Sequence, residues 1–152
     1  MKLDKVDIKI LNHLAGDGRI GWKELADKIG LSLTPTLRRV RLLEEAGYIQ
    51  GYFARLDEAR LAGELVVFVS VAMDKQEQEA LLNFEKRIVQ VPQVMSCFLM
   101  TGDADYLLRV VVKDLNTFQS FLTDTLTRIP GVAHIKSSFA LKSVLNRTAP
   151  PL

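Results

Sequence analysis

The stretch from Gly30 to Tyr52, GLSLTPTLRRVRLLEEAGYIQGY, constrains the fold of this chain more than any other. It reads as a tight turn, one helix, a glycine stop and a short strand. Ser32 is an expected N-cap, since a hydroxyl can accept an orphan N–H of the first helical turn. Pro35 then falls at the third helical position, where a missing N–H costs no intrahelical bond. Gly47 supplies a residue that tolerates positive φ where the helix stops. Leu33, Leu37 and Val40 follow a 4-then-3 spacing and should share the inner face, leaving Arg38 and Arg39 on the other side and Arg41 at a shoulder. From Ser32 to Leu43 there are three arginines and no acid. Arginine forks onto phosphate or onto a guanine edge, although a run of charge on a helix is more often a solvated face.

The residues before it supply two shorter helices. Leu3, Val6, Ile10 and Leu14 recur at helical steps over Asp4–Leu14, and Gly16-Asp17-Gly18 breaks the pattern. Trp22–Ile29 reads as a second helix with Leu25, Ala26 and Ile29 facing inward, closed by Gly30. Three short helices, with a glycine-containing turn before the third, are the shape of a helix-turn-helix, whose second helix of the pair enters the major groove of DNA. Tyr48–Leu56 is expected to be a strand, a wing beside the helices.

After a polar stretch at Asp57–Gly63 the texture changes. Leu65–Ala72 is a nearly continuous β-branched run and reads as a well-buried strand. Gln76–Val89 is helical, with Leu81, Leu82, Phe84, Ile88 and Val89 as its apolar set. Val94–Met100 and Tyr106–Val112 are strands joined by a Thr101–Asp105 turn. A helix capped by Asp114 or Asn116 runs through Ile129, with Phe118, Phe121, Leu122, Leu126 and Ile129 inside. Val132–Val144 is a last strand, followed by a tail with two prolines. The order β-α-β-β-α-β is the ferredoxin-like arrangement. The fold class expected is therefore α+β: a (winged) helix-turn-helix domain over 1–52, a linker over 53–63, a ferredoxin-like domain over 64–145 and a tail over 146–152.

Composition narrows the function classes. The 152 residues are 48% hydrophobic and 25% charged, which is ordinary for a globular protein. The net charge is +2, and residues 1–62 hold all of the surplus, with 11 Lys/Arg against 9 Asp/Glu. The single cysteine, Cys97, cannot form an intramolecular disulfide, and with His13 and His134 far away in sequence it has no evident base. No Cys/His cluster suggests zinc, and no apolar run reaches the length of a membrane span. The expected location is cytoplasmic and nucleoid-associated, with no cofactor and no metal.

Four separate stretches carry a family resemblance: LDKVDIKILNHLAGDGRI at the start, ELADKIGLSLTPTLRRVRLLEEAGYIQGY through the arginine helix, TGDADYLLRVVVKD at the turn between strands, and RIPGVAHIKSSFALKSV near the end. In that order and at that spacing the chain resembles the Lrp/AsnC, or feast/famine, transcription regulators. One departure is Thr36, where many members carry Cys; the two are similar in size. The resemblance implies a DNA-binding regulator, not an enzyme. It implies that the ferredoxin-like module pairs into homodimers that assemble further, into tetramers or octamers, and binds a small effector, most often an amino acid. On the arginine helix it points to Ser32, Thr34, Thr36, Arg38 and Arg39 as contacts to double-stranded DNA. For the effector it points to Thr101, Gly102, Asp103, Asp105 and Asp114, with Ser137 and Ser138 from the last strand of a neighbouring subunit. Chemically, an amino acid needs a carboxylate or carbonyls for its ammonium and N–H or hydroxyl donors for its carboxylate, and a Gly-Asp-Ala-Asp turn offers both. Two alternatives compete. A packaging protein of the same family would coat DNA with little sequence preference. A siroheme-decarboxylase-like enzyme would need a His-Asn-Tyr-x-Arg stretch where this chain reads Met95-Ser96-Cys97-Phe98-Leu99-Met100.

Overall fold

A computed structural model describes residues 2–151. The chain divides into two compact units: residues up to Arg55 together with the tail from Leu145, and Leu56–Val144.

The first unit is built on three helices. Helix α1 (Lys5–Gly16) starts at a capping box: Asp4 accepts from the N–H groups of Val6 and Asp7, while the Asp7 carboxylate accepts from the Asp4 N–H. Helix α2 (Trp22–Ile29) ends at Gly30, which adopts φ +75° so that the chain can reverse into α3 (Leu33–Glu45). The core is Ile10 and Leu14 from α1, Leu25 and Ile29 from α2, and Val40 and Leu43 from α3, with Ile20 from the connecting turn. Three expectations change here. Ser32 stands at the N-cap of α3, but its hydroxyl makes no capping bond. The inner stripe of α3 is Thr36, Val40 and Leu43, while Leu37 is exposed. Thr36 can be buried because its hydroxyl donates back to the Ser32 carbonyl at 2.9 Å, leaving its methyl to pack. Finally, Tyr48–Leu56 pairs with no strand among the described residues; a strand is held by a ladder partner, and this unit supplies none. The Tyr52 hydroxyl instead donates to Glu44 at 2.9 Å, fastening the segment back to the end of α3.

The second unit opens with a short helix that the sequence did not suggest, α4 (Glu58–Leu61), capped by Asp57. Strands β1 (Leu65–Met73), β2 (Val94–Leu99), β3 (Tyr106–Val112) and β4 (Val132–Phe139) form an antiparallel sheet in the order β2-β3-β1-β4. Helix α5 (Gln78–Ile88) connects β1 to β2. Helix α6 (Leu115–Ser120) connects β3 to β4 and continues through a π turn at Phe121–Thr125 and a 3₁₀ turn at Leu126–Arg128. This is the ferredoxin-like topology. Val67, Val69, Val71 and Met73 alternate with Tyr106, Leu108, Val110 and Val112 on one face, against Phe84, Ile88, Phe118, Phe121, Leu126 and Ile129. β1 is therefore buried on one face only, despite its continuous apolar sequence: Phe68, on the other face, stays 40% exposed. On α5, Leu82 and Val89 lie outside rather than in the core; the 81-84-88 stripe already fills the space under the sheet. β4 stops at Phe139, five residues before the expected Val144.

Candidate functional site

Each unit holds one candidate site. In the first, α3 presents Ser32, Thr34, Arg38 and Arg41 to solvent. Neither Arg38 nor Arg41 has an ion pair or hydrogen bond among the described residues. Two residues expected beside them are placed otherwise. Thr36 is fully buried, so it shapes the helix interface and offers nothing to a ligand. Arg39 turns toward α1, where its Nη1 donates to Asp4 Oδ2 at 2.7 Å and to Asp7 Oδ1 at 2.8 Å. The Asp7 side chain is only 5% exposed. A carboxylate that deep needs a cation, and Arg39 is the one that reaches it. The Asp7 amide, first, and the Arg39 guanidinium, second, hold the Asp4 carboxyl below its ordinary 3.8.

The second site is the β2–β3 hairpin. The Met100 N–H donates to the Asp105 carbonyl at 2.8 Å and closes the turn. Thr101, Gly102 and Asp103 are exposed at its tip. Gly102 takes φ +117°, and a Cβ there would meet nothing within 4 Å; the backbone, not crowding, favours glycine. Asp103 has no bonding partner among the described residues. Asp105 differs: it is buried, its Oδ2 accepts from the Met73 N–H at 2.6 Å, and its Oδ1 accepts from Gln76 Nε2 at 2.7 Å. Both carboxylate oxygens are thus engaged in holding the end of β1 and the chain before α5. Asp114 is not at the turn. It lies beyond the far end of β3, about 25–30 Å along an extended chain, where it caps α6 by accepting from the Thr117 N–H and hydroxyl at 2.8 Å each. Those bonds, the backbone one first, keep its carboxyl below the usual range. Ser137 and Ser138 pair with Val69 and Phe68 near the C-terminal end of β4, with β1 between them and β3. One chain therefore gathers Thr101, Gly102, Asp103 and Asp105 at one hairpin, and leaves Asp114, Ser137 and Ser138 elsewhere.

Sequence reasoning missed three partners: Asp4 and Asp7 for Arg39, and Gln76 for Asp105. The Asp4-x-x-Asp7 spacing is a legible capping box. That its two acids also need an arginine more than thirty residues away is a tertiary fact with no local signal. A bidentate pair between Arg109 of β3 and Glu58 of α4 was likewise invisible; its Nη1 arm is 3.1 Å long and its Nη2–Oε2 arm shorter. Among the described residues there is no group of His, Cys, Asp and Glu that could hold a metal, and no helix long and apolar enough to cross a membrane.

Known proteins agree with this architecture. Residues 3–50 match the family description "Winged helix-turn-helix DNA-binding", and residues 66–150 match "Lrp/AsnC ligand binding domain". The chain is 70% identical, over 99% of both chains, to a Bkd operon transcriptional regulator of Pseudomonas aeruginosa. It is 39% identical to the leucine-responsive regulatory protein of Escherichia coli, over 93% of this chain and 87% of that one. Among solved structures, a transcriptional regulator of Neisseria meningitidis in complex with L-Met is 39% identical and superposes with a TM-score of 0.94, over 99% of this chain and 97% of that one. All three relatives are named as regulators, and none as an enzyme. A helix-turn-helix with its last helix behind a glycine turn, a ferredoxin-like module after it in sequence, and likeness along the whole chain together make this protein a member of the Lrp/AsnC family of transcriptional regulators, with a helix-turn-helix DNA-binding domain and a ligand-binding domain.

Proposed function

We propose that this chain reads specific DNA sequences through α3 and that a small effector, an amino acid bound at the β2–β3 hairpin, changes its assembly and its affinity for DNA. The observation that carries the DNA half is the pair of exposed arginines, Arg38 and Arg41, without partners among the described residues, together with the hydroxyls of Thr34 on the same helix and of Ser32 at its N-cap. Arginines with no intramolecular partner are free to fork onto phosphate or guanine, and hydroxyls near a helix start suit phosphate oxygens. The effector half rests on Asp103, an open carboxylate beside a glycine turn with exposed backbone, which suits an ammonium next to N–H donors. Two relatives support an amino acid: one is named as leucine-responsive and one was solved with L-Met. Ser137 or Ser138 of a second copy would complete such a site.

The 70% identical relative is named for the Bkd operon, and DNA upstream of the host's counterpart of that operon is the natural probe. In a titration at fixed salt, that DNA should bind more tightly than a mixed-sequence duplex by about a thousandfold or more, within the span of specific regulators. Leucine or methionine should shift the affinity. Equal affinity for both duplexes would instead support the DNA-packaging reading.

A further inference from the structure

We propose that Arg39 is a positioning residue and not a DNA contact: it latches the reading helix α3 to the N-terminal capping box of α1. The inference rests on the DNA-reading role of α3. In the box, each carboxylate divides its two oxygens between jobs. Asp4 Oδ1 takes the amides of Val6 and Asp7, and Asp4 Oδ2 takes Arg39. Asp7 Oδ2 takes the Asp4 amide, and Asp7 Oδ1 takes Arg39. A capping box usually needs one acid, with Ser or Thr as its cap. Here there are two, and because Asp4 Oδ2 and Asp7 Oδ1 both touch the same nitrogen they lie within about 5.5 Å of each other, close enough for like charges to repel. Arg39 relieves that repulsion, so the helix start and the reading helix are stable as one assembly.

Asp4 and Asp7 also keep Arg39 from the DNA. With two carboxylates and one guanidinium, the three side chains sum to a formal charge of −1, so Arg39 brings no surplus positive charge to a phosphate. To bring that nitrogen, Nη1, to a phosphate, Arg39 would have to take it from both acids, one of them buried. Its neighbour Arg38, one residue and 100° further round the helix, has no such partner and faces solvent. Adjacent arginines thus divide the work, one setting where the helix lies and the other free to touch what it meets.

The test uses the full-length protein, the operator-candidate duplex and a mixed-sequence duplex, titrated over a range of salt. Losing a phosphate contact lowers the slope of log affinity against log salt by about 0.9. Arg39→Gln should leave the slope at its wild-type value, reduce the preference for the candidate duplex about tenfold or more, and speed hydrogen exchange of the Val6 and Asp7 amides. Arg39→Lys, which keeps a charged nitrogen on a shorter side chain, should restore part of the preference. Arg38→Gln should lower the slope and leave those amides protected. If Arg39→Gln fails to fold, Asp4→Asn keeps a capping oxygen while removing one acid, and should show the same loss of preference at an undiminished slope. A slope lower by about one in Arg39→Gln would overturn the proposal in favour of a phosphate contact. Faster exchange with unchanged preference would overturn it in favour of a role in stability alone. Wild-type protein with equal affinity for both duplexes would remove sequence-specific reading itself, a different failure, and the latch would then be judged by amide exchange in Arg39→Gln.

Discussion

Three cases show how much a residue's neighbours decide. Arg38 and Arg39 are adjacent in sequence and alike in chemistry, yet only Arg38 is free. Arg38→Ala should therefore weaken binding to all duplexes while leaving thermal stability within about 0.5 kcal/mol of wild type, since it touches none of the features that make a substitution costly; DNA titration and a melting curve check both halves. Acid should act on the latch at Asp4. Its carboxyl is held below 3.8 in the folded protein, so the stability it contributes is present above that value and is lost as pH falls through the depressed folded pKa. Helical circular dichroism of wild type should thus hold down to about pH 4 and fall below it. In Arg39→Gln the acid loss should begin at a higher pH; coincident acid curves would show that Arg39 contributes nothing to it. Asp105 makes the third case. Asp105→Ala would orphan the buried Met73 amide, which costs about 1–3 kcal/mol, so denaturant midpoints should drop whether or not an effector is present. That variant therefore reports on the hairpin's integrity before it reports on ligand recognition.

At the scale of elements, what could be read in the sequence is what local chemistry decides. Trp22–Ile29 and Tyr106–Val112 have the expected bounds, because a glycine stop and a turn rich in Gly and Asp mark their ends. The ferredoxin-like order was legible for the same reason: apolar period and breakers alternate cleanly from Leu65 to Ile129. Elements that depend on distant partners were not. Tyr48–Leu56 has strand composition and no ladder. Phe118–Ile129 has helical spacing, but its second half shifts to π and then 3₁₀ turns, which keeps Phe121, Leu126 and Ile129 all facing the sheet. Of the candidate sites, the hairpin tip was legible as a turn, whereas the occupied carboxylate of Asp105 and the capping role of Asp114 depend on backbone groups that periodicity does not show. Gly63 illustrates a further tertiary constraint. It precedes β1 at φ +127°, and a Cβ there would collide with the backbone of Lys113 and sit 2.5 Å from the Val112 carbonyl oxygen. Gly63→Ala should cost roughly 1–3 kcal/mol from the backbone conformation alone, with the collision added. A denaturant midpoint equal to wild type would show that the start of β1 can move aside.

The whole molecule leaves apolar surface that a single chain does not cover. The sheet face away from α5 and α6 carries Phe68, and on the edge strand β2 Phe98 remains 57% exposed. An antiparallel sheet can show one face to water, but that face is then expected to be polar. A second copy is the partner the family reading supplies, so light scattering at micromolar concentration should give twice 17.0 kDa or more, and Phe98→Asp should shift the population toward single chains. Assembly also provides the logic of an effector. A ligand changes DNA affinity only if it binds one arrangement of chains better than another, and a coupling of about 1–3 kcal/mol is typical. Asp103 is the side chain on which to test this, because it is exposed and holds nothing else, so its removal should not disturb the fold as Asp105→Ala would. A ligand present at a hundred times its Kd stabilises the native state by about 2.7 kcal/mol, which for a chain of this length raises the melting temperature by roughly 5–10 °C. A screen of the amino acids should show such a rise for at least one apolar member in wild type. In Asp103→Ala the melting temperature without ligand should be unchanged and the ligand-dependent rise should be lost. If the rise survived in Asp103→Ala, the ammonium would be held by another group and the hairpin tip would be only a turn.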